Sequence, residues 1–152
     1  MRAPKFITNL KRIVQIAHRG QEYGNGKDYF SYHILGVVAE TKAILEARGF
    51  TSNDPFYWEC IGVAFGHDVV EDTGVNLGYL RLKDVPENIV VGINCITKNI
   101  DEDGQVYLEK VLRYESSHLV KQADSSFNLQ NSIREGATRR IKKYTKYLSK
   151  LA

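Results

Sequence analysis

The sequence contains only two cysteines, Cys60 and Cys95. They can form neither a disulfide framework nor a C-x-x-C metal motif. Because disulfide-poor chains are typical of reducing compartments, the sequence predicts a cytoplasmic protein. Both thiols are expected to be small residues of the core.

Long apolar runs and a strong excess of charge are also missing. No segment approaches about 18 consecutive apolar residues, the length that a membrane-spanning helix needs. Residues 1–6 carry charge but lack the apolar region of a secretion signal. The net charge of +3 is compatible with an anionic ligand, and it does not indicate nucleic acid or a membrane as partner.

Alternating strand patterns are absent as well, whereas apolar residues recur at helical spacing along the whole chain. The sequence therefore predicts an all-α fold, with one domain over residues 1–152. Helices are predicted over residues 5–18, 30–48, 55–70, 86–96, 105–114, 117–131 and 134–151, with a shorter one within 74–84.

The densest group of ionisable side chains lies in residues 66–74, directly after the apolar run 61–65. It contains His67, Asp68, Glu71 and Asp72. Burying such groups without partners costs free energy, and a divalent cation can satisfy imidazole and carboxylate groups together. Neighbouring residues alone cannot surround an ion, so further ligands must come from other helices.

Two residues elsewhere in the chain are candidates for those further ligands. His33 interrupts an otherwise apolar helix face, and Asp124 follows the apolar approach 119–123. Taken singly, a structural hydrogen-bonded histidine and a capping or solvated aspartate are the ordinary interpretations. Taken with His67 and Asp68, they predict a site of two imidazoles and two carboxylates, suited to metal-dependent hydrolysis.

The order of these motifs resembles that of the HD-domain metal phosphohydrolases. More narrowly, it is similar to the hydrolase domain of RelA/SpoT enzymes and the small alarmone hydrolases. Residues 17–21 read Ala-His-Arg-Gly-Gln, residues 29–33 end in Tyr-His, and residues 67–73 read His-Asp-Val-Val-Glu-Asp-Thr. An Ile-Thr-Lys turn at 96–98 and the segment 120–129, Val-Lys-Gln-Ala-Asp-Ser-Ser-Phe-Asn-Leu, follow in the same order.

The resemblance implies an HD-domain helical bundle that removes pyrophosphate from the 3′ position of guanosine tetra- or pentaphosphate. It implies that Glu71 and Asp72 act on the attacking water and the leaving group, and that Asn128 contacts the nucleotide. It also implies a Mn²⁺ ion held by His33, His67, Asp68 and Asp124.

The spacing of the acidic residues adds an expectation about geometry. If the third helix continues through residue 72, Asp68 and Asp72 share one helix face, as do His67 and Glu71. A carboxylate beside the ligands can then orient water or accept its proton.

The sequence departs from the family pattern in its basic residues. Glu22-Tyr23 stand where the family has an Arg/Lys pair, and Glu109 precedes Lys110 where an Arg-Lys pair is usual. Ser125 and Gln130 replace residues that are often basic. Six basic residues are candidate phosphate contacts, of which Lys27 and Lys121 are preferred and the others are interpreted as surface charges: Arg19, Lys27, Lys98, Lys110, Lys121 and Arg134.

Three functions remain open on these grounds. The first is the alarmone hydrolase, and the second keeps the metal site but acts on another nucleotide or a pyrophosphorylated RNA 3′ end. The third is a non-catalytic nucleotide- or nucleic-acid-binding module, which the basic segment 134–151 could serve. We interpret that segment as a packed helix with a solvated basic face, and the acidic residues 101–103 as a solvated loop.

Overall fold

The computed structural model describes residues 2–152, and most of them are helical. After helix α1, a short antiparallel hairpin pairs Glu22 with Asp28 and Tyr23 with Lys27. A π-helical turn, Tyr29–Ile34, then runs directly into α2. The elements are α1 (Lys5–Ala17), β1 (Glu22–Tyr23), β2 (Lys27–Asp28), α2 (Leu35–Ala47), α3 (Pro55–Gly66), α4 (Val69–Asp72), α5 (Leu77–Leu82), α6 (Glu87–Ile96), α7 (Gly104–Arg113), α8 (Glu115–Arg134) and α9 (Thr138–Leu151).

Helix α3 is the central element of the fold. Pro55 occupies its first turn, where the missing N–H costs nothing. Most of its residues are buried, and it packs against α1, α2, α6 and α8. Glycine at position 66 permits the close approach of α6, because a Cβ there would lie 2.3 Å from Ile93 Cδ1. Because α3 is buried up to its end at Gly66, the residues that follow it begin in the interior of the protein.

Helix α8 is the second organising element, since it contacts α2, α3, α6, α7 and α9. Its side chains include buried polar residues in its central turns, among them Asp124 and Asn128. The final helix α9 folds back along α8, and its last carbonyl, Leu151 O, accepts hydrogen bonds from His118 and Gln122. These contacts hold the end of the basic helix α9 beside the first half of α8.

The predicted all-α fold is confirmed, with three local corrections. The prediction of no strands was wrong at the hairpin, whose two-residue strands are too short to give an alternating pattern. The predicted helix 30–48 begins as a π-helix, and the predicted helix 55–70 ends at Gly66. Within residues 2–152, none of the helices combines the length and apolar character needed to cross a membrane.

Candidate metal centre and cavity

Four side chains from three separate parts of the chain meet beneath the hairpin, and we call them the His-Asp cluster: His33, His67, Asp68 and Asp124. His33 comes from the π-helical turn. His67 and Asp68 occupy the break between α3 and α4, and Asp124 lies in the middle of α8. Because α3 and α8 pack side by side, residues distant in sequence become neighbours.

The two imidazole nitrogens of the cluster lie close to each other and to one oxygen of each carboxylate. The Nε2 atoms of His33 and His67 are 3.3 Å apart. Asp68 Oδ2 lies 3.3 Å from His33 Nε2 and 3.0 Å from His67 Nε2. Asp124 Oδ1 lies 3.2 Å and 3.4 Å from the same two nitrogens. All four side chains therefore point their ligand atoms at one small volume.

This spacing fits a divalent cation. Nitrogen and oxygen ligands lie about 2.0–2.2 Å from such an ion, so neighbouring ligand atoms are about 3 Å apart. The imidazoles and Asp124 are buried, and their ligand atoms lie within 4.8 Å of one another. Two nitrogens and two carboxylate oxygens are a donor set that several divalent metals accept, and the set alone does not select one.

Hydrogen bonds outside the cluster orient its members. His67 Nδ1 lies 2.7 Å from Ala64 O, and a carbonyl only accepts, so Nδ1 donates and Nε2 keeps its lone pair for a metal. Tyr29 Oη donates to Asp68 Oδ2 at 2.5 Å. Among the described residues, His33 Nδ1 is buried without a hydrogen-bond partner; the ring of Tyr23 stacks on His33 at 4.9 Å between centroids.

Asp124 is held on both sides along α8. Asn128 Nδ2 donates to Asp124 Oδ1 at 3.0 Å, and Tyr23 Oη in turn donates to Asn128 Oδ1 at 2.7 Å. Lys121 Nζ lies 3.4 Å from Asp124 Oδ2. The hairpin residue Tyr23 is thereby connected to the cluster through Asn128 as well as through its ring.

The electrostatics of the cluster favour ionised carboxylates. Burial raises the pKa of Asp124, but the Lys121 ammonium and hydrogen bonds from both imidazoles outweigh burial and hold it well below the ordinary value. Burial lowers the pKa of His67, but the charges and hydrogen bonds of Asp68 and Asp124 raise it well above the ordinary value. The same balance raises the pKa of His33. The carboxylates are therefore anionic and the imidazoles readily protonated, and a metal that binds at the imidazole nitrogens would displace those protons.

Glu71 and Asp72 lie beside the cluster but on the short helix α4, because the chain breaks at His67 and Asp68. The condition for Asp68 and Asp72, or His67 and Glu71, to share a face of a continuous third helix is therefore not met. Glu71 Oε1 accepts a hydrogen bond from the Lys98 backbone N–H at 2.5 Å. Asp72 Oδ2 accepts one from Gln21 Nε2 at 3.2 Å.

The side chains of Glu71 and Asp72 are exposed, but the surrounding protein displaces part of the water around their carboxyl groups. Burial raises the pKa of Glu71, although the Lys98 hydrogen bond opposes that rise. Burial and the charge of Asp68 raise the pKa of Asp72. A carboxylate with a raised pKa is a stronger base, which suits a group that accepts a proton from water.

The cluster opens into a cavity of about 480 Å³. This volume is within the range of about 300–1,000 Å³ that small-molecule sites occupy. The α6–α7 loop and the final helix α9 complete its walls, and three lysines reach it. His33, Asp68 and Asp124 of the cluster line it, as do Glu71, Asp72 and Asn128, and the rest of its lining comprises Tyr23, Tyr29, Lys98, Asn99, Ile100, Asp101, Tyr107, Lys121, Lys143, Tyr144 and Tyr147.

The three predicted substrate contacts are placed differently. Asn128 and Lys121 line the cavity, although the Lys121 ammonium is engaged by Asp124. Lys27 is not among the lining residues; its ammonium lies over the Tyr32 ring, 4.1 Å from the centroid. Substrate binding by all three stays a prediction, and the position of Lys27 gives it no support.

Sequence reasoning missed the tyrosines of the site and the role of α9. Tyr29 could have been found, since it precedes His33 by four residues and so lies near the same helix face. The three cavity residues of α9, Lys143, Tyr144 and Tyr147, gave no such signal. Their face was expected to pack or to meet solvent, and only the return of α9 along α8 brings it to the cavity.

The fold and the site together define an all-helical protein with a candidate metal-binding group at a cavity. Similarity to solved structures makes it more specific. A structure described as a metazoan ortholog of SpoT that hydrolyzes ppGpp and plays a role in starvation responses matches with a TM-score of 0.74. The match covers 99% of this chain and 88% of the other, at 19% sequence identity.

That likeness shows a shared fold. It confirms the predicted all-helical fold. Three of the four predicted ligands, His33, His67 and Asp124, have ligand atoms within 4.8 Å of one another, and the full ligand set stays a prediction. No family model matches the chain, and no curated protein is similar enough in sequence to match.

Proposed function

We propose that the protein is a metal-dependent phosphohydrolase that removes pyrophosphate from the 3′ position of guanosine tetra- or pentaphosphate. One observation carries the proposal: two imidazoles and two carboxylates converge at 3.0–3.4 Å, with Glu71 and Asp72 beside them at a cavity. The structural neighbour, which is described as hydrolysing ppGpp, supports this choice of substrate.

The metal proposed for the cluster is Mn²⁺. When bound there, such a cation would supply Lewis-acid chemistry, activating water and offsetting negative charge on phosphoryl oxygens. His33, His67, Asp68 and Asp124 would hold it. The Tyr29 and Asn128 hydrogen bonds to the two aspartates would keep these ligands in place.

Glu71 and Asp72 are the proposed proton-handling residues. Each has one carboxylate oxygen engaged, by the Lys98 N–H or by Gln21, so its orientation is fixed while the second oxygen can face the substrate. One can orient and deprotonate the attacking water, and the other can assist the leaving group. Neither role requires the carboxylate to be a metal ligand.

The cavity offers groups suited to a phosphorylated nucleotide. Lys98 and Lys143 bring positive charge to the wall, and the aromatic rings of Tyr144 and Tyr147 offer faces on which a base can stack. Asn128 adds an amide to the side nearest the His-Asp cluster. The nucleotide would then lie across α8 and α9 with its phosphates toward the cluster.

The test is a metal-supplemented assay of the purified protein. Elemental analysis should find a divalent metal, and the Mn²⁺-loaded protein should release pyrophosphate from guanosine tetraphosphate and leave GDP. The same assay on the Asp72→Asn variant should show loss of turnover with metal retained. Wild-type protein that is inert toward every nucleotide tested, with several metals, would remove the proposal.

A second candidate is the same chemistry on another nucleotide or a pyrophosphorylated RNA 3′ end. Its specific support is the hairpin, where Glu22 and Tyr23 stand instead of the basic pair that the resemblance implies. Tyr23 covers His33 and binds Asn128 rather than presenting a charge to phosphate. A panel of phosphorylated nucleotides and modified tRNA separates this candidate from the first by relative kcat/KM.

A further inference from the structure

Glu71 stands on the shortest helix of the described residues, the four-residue α4. So short a helix gives its exposed side chain little support of its own. The carboxylate is instead fixed by a group from elsewhere, since its Oε1 atom accepts a 2.5 Å hydrogen bond from the backbone N–H of Lys98. The position of Glu71 therefore depends on the loop that carries Lys98.

That loop, residues 97–103, connects α6 to α7, and Lys110 of α7 binds it at two points. Lys110 Nζ donates to Thr97 O at 3.0 Å and to Glu102 Oε1 at 3.1 Å. Glu102 Oε1 also accepts from the Asn99 backbone N–H at 3.0 Å. One ammonium group thus joins the beginning and the end of the loop.

The rest of the loop has little packing to hold it. Lys98, Asn99 and Asp101 are exposed, and Ile100 is 94% exposed. The ion pair is more enclosed, with side-chain exposures of 24% for Lys110 and 13% for Glu102. Thr97 is buried and is held by α6 through hydrogen bonds to Ile93 O. Beyond Thr97, hydrogen bonds to Lys110 and Glu102 rather than apolar burial define the loop conformation.

Lys110 does not line the cavity, so it is poorly placed to meet a phosphate directly. Its donors face a backbone carbonyl and a carboxylate of its own chain. We infer that Lys110 is a positioning residue for Glu71: it fixes the α6–α7 loop so that the Lys98 N–H holds the Glu71 carboxylate at the cavity. The inference rests on the proposed function, in which Glu71 handles a proton.

Removing the ammonium should loosen the loop after Thr97, which α6 continues to hold. Thr97 O loses its donor, and Glu102 loses its counter-charge while still partly enclosed. The Lys98 N–H then moves away from Glu71, and the carboxylate samples other orientations. The His-Asp cluster has no contact with Lys110 among its described hydrogen bonds and ion pairs, so metal binding should be unchanged.

The first experiment needs no activity: amide hydrogen exchange at Lys98, followed by NMR on the full chain. In the wild-type protein the Lys98 amide should be protected. Lys110→Met should raise its exchange rate by about tenfold or more, whereas Lys110→Arg, which keeps a donor, should retain most of the protection. Arg113→Met, which removes an exposed cation from the same helix, is the matched control and should change nothing.

Unchanged protection at Lys98 in Lys110→Met would overturn the inference. Should that variant fail to fold, Glu102→Gln removes the other half of the pair, and the same amide should lose protection. An intact signal in Glu102→Gln would likewise contradict the link between this pair and the loop.

The second experiment is a double-mutant comparison with substrate. Lys110→Met alone should lower kcat by about tenfold at constant metal content, yet it should lower kcat little further when added to Glu71→Gln. Equal effects in both backgrounds would show that Lys110 acts independently of Glu71. A wild-type protein without turnover would instead remove the proposed function, and the exchange rates alone would then decide the role of Lys110 in the loop.

Discussion

The His-Asp cluster and the rim of the cavity differ in how their side chains are held. In the cluster, imidazoles and carboxylates are mostly buried and contact one another at 3.0–3.4 Å. At the rim, Lys98, Ile100 and Lys143 are exposed. The loop that carries Lys98 and Ile100 is fixed by a few hydrogen bonds, and helix α9, which carries Lys143, is fixed by packing along α8. The cluster is built to stay constant, whereas the rim can vary without disturbing it.

In the proposed function, the buried centre supplies the metal chemistry and the rim, through its charges and rings, decides which phosphorylated molecule binds. Substitutions in the two regions should therefore affect different measured quantities, metal content in one and substrate preference in the other.

The largest effect is expected from removing a ligand of the cluster. Asp124→Ala should abolish metal binding and reduce turnover to the background rate. The three ligands that remain, two imidazoles and one carboxylate, cannot supply the missing oxygen. Elemental analysis and pyrophosphate release measure the two losses. Glu109→Ala, which removes an exposed carboxylate from α7, is the control, and metal retained in Asp124→Ala would refute the proposed ligand set.

The next effect should separate chemistry from metal binding. Asp72→Asn keeps the size of the side chain and its contact with Gln21 but removes the base, so kcat should fall by about 10²–10⁴ with metal content unchanged. Steady-state kinetics with elemental analysis measures it. Should kcat stay at the wild-type value, Asp72 has no part in proton transfer.

A smaller effect tests the partners that orient the cluster. Tyr29→Phe removes the 2.5 Å hydrogen bond to Asp68 Oδ2 and leaves the ring in place. Metal affinity should fall by about 10–100-fold, the usual cost of losing such an outer partner. Competition with a metal chelator gives the affinity, and Tyr79→Phe, at an exposed ring, should match the wild type.

The smallest effect concerns the rim and its dependence on pH. The Asn99 N–H hydrogen bond, aided by Lys110, lowers the pKa of Glu102 in the folded protein. Its contribution to the free energy of unfolding is therefore full above the ordinary carboxyl pKa and is lost as the pH falls through the folded value.

Glu102→Gln should consequently lower the free energy of unfolding at neutral pH and converge with the wild type in acid. Urea denaturation at a series of pH values measures the difference, with Glu109→Gln as the exposed control. A difference in the free energy of unfolding between the wild type and Glu102→Gln that stays the same at every pH would contradict the lowered pKa of Glu102.

The sequence predicted the parts of the fold that depend on local pattern. Apolar spacing gave α1 and α6 nearly to the residue, and Asp54-Pro55 marked the start of α3. Gly49, with φ of +87°, ends the second helix as predicted, because glycine adopts this left-handed conformation without strain. The candidate ligands could be identified because polar side chains on an apolar helix face are costly to bury without partners.

The parts that were missed depend on contacts between distant segments. Nothing local marks the end of α3 at Gly66, since the residues after it are compatible with a helix. The break places Asp68 beside Asp124 of α8, a neighbour that periodicity cannot reveal. The cavity face of α9 was missed for the same reason, because its rings meet the site only through packing against α8.

The end of α3 at Gly66 limits which substitutions can alter the orientation of His67. Because the chain leaves the helix at Gly66, Ala64 O is available to His67 Nδ1, and the protonated nitrogen of that ring is chosen by the main chain. No exchange of one side chain for another removes that acceptor. Among residues 2–152, His33 Nδ1 has no hydrogen-bond partner, so an engineer who wishes to change the proposed metal site should begin with the groups around His33, Tyr23 first among them.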